Sequence, residues 1–198
     1  NIYVENLPSY YFGITYTSNY NELPQFCSSF IKMRNSYSAS QFNIHTEIEN
    51  IKVTAVHEFF HSIQFSYNCF ERLWLMEATA VWSEDQLFNN INDLYRYLGS
   101  WFSNCNFKSI NDESNHMYGS FIYFQYLDEH FGGPEIIKNI WDHSKDNSSS
   151  TRDISFESID NILKKNNNSL DQTFHNLAIA NKIFDERAPA PFFYQEAE

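Results

Sequence analysis

From about Glu49 the apolar residues fall at helical spacing. Val53, Val56, Phe60, Ile63 and Tyr67 follow one another at intervals of 3, 4, 3 and 4, which traces one stripe of an amphipathic helix. Ahead of it the pattern is shorter. Ile2–Val4, Phe12–Thr17 and Ser29–Met33 lie in a stretch rich in Tyr, Phe, Ile and Thr, with Pro8, Gly13 and Pro24 as breaks, and they predict strands. A second helix is predicted from near Leu73 to Phe88, and another over residues 91–102, ending near Gly99. A helix over Met117–Phe131 stops at Gly132-Gly133-Pro134, because glycine takes up the helix end and proline cannot continue it. A short helix around Glu135–His143 and a polar loop over Lys145–Thr151 follow. Two last helices are expected after Ser155 and after Ser169, the latter opened by the capping box Ser169-x-x-Gln172. The pattern predicts an α+β protein: a mixed sheet and one long helix over residues 1–68, a mostly helical part over 69–184, and an irregular tail or linker over 185–198.

The composition narrows the function classes. Hydrophobic residues make up 42% of the 198 residues and aromatics 18%, enough for a packed core and too much for a disordered chain. The net charge of −12 repels phosphate backbones, so nucleic acid is not an expected partner. No run of eighteen or more apolar residues exists to span a membrane.

Candidate chemistry sits on the first helix. His57-Glu58-Phe59-Phe60-His61 is H-E-x-x-H. Residues four apart on a helix share a face, so the two imidazoles can converge on one Zn²⁺. Glu58 falls beside that face, placed to take a proton from an attacking water. Thr54, His57, Glu58, His61 and Phe65 form this ligand face, and the apolar stripe is expected to bury a different side. Catalytic zinc takes a third protein ligand, commonly Glu. Glu77 lies sixteen residues after His61, flanked by Ala78, Ala80 and Val81. That setting aims a carboxylate into packed protein, where a metal removes the cost of burying it.

With these residues in place, the segments HEFFHSIQ and WLMEATAVW together resemble the gluzincin group of zinc metallopeptidases. The second segment is similar to the W-L-x-E-G-x-A signature of aminopeptidase-N-type enzymes, with Ala78 where those carry Gly. A nearer resemblance is to a group of secreted bacterial and archaeal metalloproteases. There H-E-x-x-H-x-x-Q precedes W-x-x-E-A-x-A-x-W, and a helix containing Y-G-S follows, matching His57–Gln64, Trp74–Trp82 and Tyr118-Gly119-Ser120. The resemblance spans about residues 10–180. It implies a zincin-like catalytic domain over 1–184, holding one catalytic Zn²⁺ through His57, His61 and Glu77. Glu58 would be the general base and the substrate a peptide or protein, more as an endopeptidase. Related enzymes use a Tyr or His to stabilise the oxyanion, which makes Tyr118 the first candidate and His116 the second. A strand preceding the active-site helix would offer an edge to an extended peptide, and Ser29–Arg34 is the candidate.

Several residues admit plainer roles. Tyr118 is one of 13 tyrosines and can serve a core instead. Gln64 can bond a ligand's backbone neighbour. Glu84 and Asp85 can orient a ligand imidazole or stand as solvated charges. His45, His130, His143 and His175 are read as non-ligands, and Trp74 and Trp82 as core anchors. Cys27, Cys69 and Cys105 lack zinc spacing; one disulfide with a free thiol and three buried thiols are both open. The sequons at Asn147 and Asn167 are expected to be incidental in so asparagine-rich a chain. The opening at Asn1 and the tail suggest a longer native protein with further domains, and secretion is the expected location. Against the peptidase stand two other readings: a zincin scaffold that only docks a protein or glycan, and a zinc hydrolase of a non-peptide amide.

Overall fold

The computed structural model describes residues 1–18, 26–147 and 153–195. Residues 148–151 of the expected polar loop, the body of the Asn147 sequon, Pro24 and residues 196–198 lie outside them. Among the described residues the architecture is α+β, with a small mixed sheet followed by helices. The strands are β1 (Ile2–Glu5), β2 (Gly13–Thr17) and β3 (Ser29–Arg34), in the order β1-β3-β2. β3 pairs parallel with β1 and antiparallel with β2. Both sides of β3 are therefore taken, which corrects its candidacy as an edge for substrate; the edges are β1 and β2.

The helices are α1 (Glu47–Asn68), α2 (Leu73–Phe88), α3 (Tyr95–Asn104), α4 (His116–Gly119), α5 (Phe121–Phe131), α6 (Pro134–Asn147), α7 (Ser155–Lys165) and α8 (Leu170–Ile183). Thr46 opens α1 with a full capping box: its hydroxyl accepts from the Glu49 amide and its own amide donates to the Glu49 carboxylate. Glu47 and Glu49 in the first turn also suit the positive end of the helix dipole. At α8 only half the expected box forms. Ser169 accepts from the Gln172 amide, while the Gln172 side chain turns to Asn176. α5 ends at Gly132 and Gly133, with φ of 143° and 68°, a left-handed passage that glycine makes without strain. Pro134 then opens α6, where its missing N–H costs no helical bond.

Three helical expectations shift. The helix predicted over 91–102 begins at Tyr95 and carries Gly99 in its interior, because a single glycine weakens a helix without ending it. The helix predicted over Met117–Phe131 is divided at Ser120, whose hydroxyl bonds the carbonyls of Ile110 and His116. The largest change concerns α1. It packs against β2 and β3 on one side and against α2 and α6 on another. Its deepest residues are Asn50, Val53, Thr54, Glu58, His61, Gln64 and Asn68. The ligand face is thus the buried face, and most of the apolar stripe is only half-covered. Periodicity finds the two faces of a helix, and tertiary packing decides which one goes in.

α2 is the central element of the core. Trp74, Leu75, Ala78, Ala80 and Val81 have no measurable exposure, as expected of a helix apolar nearly all round. Trp74 and Trp82 anchor it, their indole N–H groups donating to Ser155 and Asp128. Cys27 and Cys69 form a disulfide that joins the approach to β3 with the end of α1, leaving Cys105 a half-buried free thiol. Residues 185–195 form no helix or strand, and Tyr194 is buried and bonds Asn181, seating the segment on the helical layer.

Candidate metal centre

α1 and α2 meet face to face, and their polar residues converge at the contact. The three candidate ligand atoms of His57, His61 and Glu77 all lie within 4.8 Å of one another. Glu77 Oε2 is 3.1 Å from His57 Nε2 and 3.6 Å from His61 Nε2. The two rings stand edge to face with centroids 4.6 Å apart. None of the three side chains is more than 14% exposed.

The opposite ring nitrogens are both engaged. His57 Nδ1 lies 2.7 Å from Glu84 Oε1 and His61 Nδ1 lies 2.7 Å from Gln64 Oε1. A proton on each Nδ1 leaves the Nε2 lone pairs directed at the shared space, which is how outer partners fix histidine ligands. Gln64 also donates from Nε2 to Met76 O and Thr79 Oγ1 at 2.8 and 2.9 Å. It therefore links the ring of one candidate ligand to the backbone beside another, Glu77. Of the two acids considered for ring orientation, Glu84 fills the role. Asp85 is buried elsewhere on α2 and lines a separate surface hollow.

Burial and ion pairing set the charges of the cluster. Burial works against a charged His57, but the carboxylates of Glu77 and Glu84 on its two nitrogens hold its pKa well above 6.5. Burial likewise opposes a charged Glu77, yet hydrogen bonds from His57 and His61 hold its carboxyl far below the usual range. Burial pushes Glu84 up to about 7, against the pull of His57. A protonated His57 thus donates one N–H to each of two buried acids. A divalent cation on two Nε2 atoms and a carboxylate oxygen would satisfy the same atoms, and His₂Glu is a donor set that suits zinc.

A cleft of about 630 Å³ opens over one side of this cluster. His57, Glu58, Glu84 and Tyr118 line it, while His61 and Glu77 lie outside its lining. Glu58 is 6% exposed. Thr15 Oγ1 sits 2.7 Å from Glu58 Oε2 and 2.8 Å from the Glu58 carbonyl oxygen. Tyr118 stacks on Tyr97 with centroids 5.3 Å apart. Burial, then the charges of Glu77 and Glu58, raise its phenol well above 10 and keep it a donor at neutral pH. His116 is not brought to the cleft. It is buried against Trp101, rings stacked at 4.7 Å, with no hydrogen-bond partner at either nitrogen. His45 pairs with Asp93, His130 with Phe193 O and His143 with Ser158, and none of the three joins the candidate ligand group.

Sequence reasoning passed over Gly13 on β2 and Arg96 on α3, which line the cleft, and Thr15 on β2, which bonds Glu58. Arg96 lies over the Phe12 ring at 4.8 Å and within 3.4 Å of Asp93. No local pattern marks any of them, because each reaches the site only through the fold.

Among known families, residues 34–190 match the model described as a family of unknown function, DUF6055. No curated protein and no solved structure matches the chain. No helix among the described residues is long and apolar enough to cross a membrane.

Proposed function

We propose that this chain, which belongs to the DUF6055 family, is a zinc-dependent peptidase of zincin type. The observation that carries the reading is the convergence of His57, His61 and Glu77 within 4.8 Å, with Glu58 in the adjoining cleft. The gluzincin resemblance of HEFFHSIQ and WLMEATAVW supports it, since these two segments carry the converging residues. His57, His61 and Glu77 hold one zinc ion, which when bound supplies Lewis acidity to the scissile carbonyl and the attacking water.

The remaining chemistry belongs to the side chains. Glu58 takes the proton of the water as it attacks and passes it to the departing amine. Tyr118 donates its phenolic proton in a hydrogen bond to the developing oxyanion. Glu84 and Gln64 keep both imidazoles in the Nδ1-protonated form. An extended peptide lies along β2, the sheet edge whose Gly13 lines the cleft, and adds to it as a strand. The Cys27–Cys69 disulfide suits a secreted protein.

Glu58→Gln tests the reading and separates it from a docking module. The variant should bind zinc as the native chain does and should not cleave casein. Cleavage undiminished in Glu58→Gln would remove Glu58 from its role.

A further inference from the structure

The proposed base is gripped from outside its own helix. α1 and β2 approach so closely at Glu58 that a methyl group added at Gly13 would lie 2.7 Å from Glu58 Cγ and 2.8 Å from Thr54 Cγ2. The same methyl would stand 3.0 Å from Glu58 Oε1. Carbon atoms do not share that space, so the backbone of β2 reaches the base only because residue 13 has no side chain. Residue 15 shares a strand face with residue 13, and its hydroxyl meets the other carboxylate oxygen, Oε2, at 2.7 Å. Thr15 has a single proton to donate, shared between Oε2 and the Glu58 carbonyl oxygen at 2.8 Å, so both of its acceptors belong to the same residue.

A glutamate side chain has three rotatable bonds, and a base delivers its full rate only when its oxygen is held at the reacting proton. Helix α1 fixes the Cα of Glu58 but not its carboxylate. We infer that Gly13 and Thr15 of β2 are positioning residues for Glu58, the glycine admitting the carboxylate against the strand and the threonine hydroxyl holding Oε2 so that Oε1 is the oxygen presented to the attacking water. This rests on the peptidase reading. It adds that the sheet edge sets the aim of the base as well as offering a strand partner to substrate. It also places part of the catalytic apparatus on residues that precede the segment matched by the family, which begins at residue 34.

Thr15→Val keeps the branched shape that a strand favours and removes the hydroxyl; Thr15→Ser keeps the hydroxyl. Both should retain zinc, because no ligand lies on β2. With a casein-derived peptide, Thr15→Val should lose about 100-fold in kcat at unchanged KM, the scale of a misaimed catalytic group, while Thr15→Ser stays within about threefold of native. Gly13→Ala should lose kcat in the same way with zinc retained. Equal kcat in Thr15→Val and native chain, or equal losses in Val and Ser variants, would overturn the inference. A zinc-loaded native chain that cleaves nothing would instead sink the peptidase reading. Crystal structures then decide the positioning claim by themselves: Glu58 Oε2 should sit on Thr15 in the native chain and leave that place in Thr15→Val, and an unmoved carboxylate in the variant would refute the claim.

Discussion

Glu84→Gln separates a carboxylate that serves a metal from one that merely fills the core. Glu84 accepts from His57 Nδ1 at 2.7 Å and its side chain is 6% exposed. Glutamine keeps the shape and an accepting oxygen but removes the charge that makes the imidazole a strong donor to a cation. Loss of such an outer partner weakens metal binding by about 10- to 100-fold, or about 1.4 to 2.7 kcal/mol. The metal-free chain should respond in the opposite sense. Burial pushes Glu84 up to about 7, so ionising it opposes folding, and the amide relieves that opposition. Binding stabilises a fold in proportion to the logarithm of ligand excess over Kd. For a chain of this size, roughly 2 to 4 °C accompany each kcal/mol, so zinc should raise the melting temperature by about 3 to 11 °C less in Glu84→Gln than in the native chain. Paired thermal scans, with chelator and with excess zinc, measure both states. If the variant took the full zinc-induced rise, or if its metal-free form melted lower than the native metal-free form, Glu84 would be a structural acid and the reasoning would be wrong.

Other perturbations follow from the same geometry. Tyr118→Phe should bind zinc and substrate normally and lose about 100- to 1,000-fold in kcat, the cost of one oxyanion donor; steady-state kinetics on a casein-derived peptide checks it. His57 has a raised folded pKa, so its contribution to the metal-free fold is complete below 6.5 and is lost as pH climbs through the higher folded value. The melting temperature of the metal-free chain should therefore fall from pH 6 towards pH 9. The zinc-induced rise should grow over the same interval, because the proton and the cation compete for one nitrogen. Replacing Cys27 and Cys69 by serine opens a loop whose ends are 42 residues apart. By the chain-entropy relation this costs about 4 kcal/mol, measurable as a lower denaturant midpoint at unchanged zinc stoichiometry.

The parts of this site that were legible in the chain are those written at short range. The four-residue step from His57 to His61 sets two imidazoles on one helix face whatever the rest of the protein does. Glu77 stood out because a carboxylate among Ala78, Ala80 and Val81 needs a partner to be buried. The aim of α1 was less legible. Val56, Phe60 and Ile63 look like a core stripe, yet α1 turns Glu58, His61 and Gln64 inward, where each polar group finds a partner on β2 or α2. The central place of β3 depends on pairings between segments more than ten residues apart, which spacing along the chain does not encode. Thr15 lies 43 residues from the glutamate it holds, and Arg96 enters the cleft from a helix whose start was misjudged by four residues. His116 had the same sequence neighbourhood as Tyr118, and only the packing of Trp101 separates their fates.

The central claim is that His57, His61 and Glu77 form one metal site, and metal content after zinc loading and dialysis tests it most directly. Elemental analysis should find one zinc per native chain and none in a folded chain bearing His57→Ala, His61→Ala and Glu77→Ala together. A native chain that emerged without zinc, or a triple variant that kept as much as the native protein, would contradict the account.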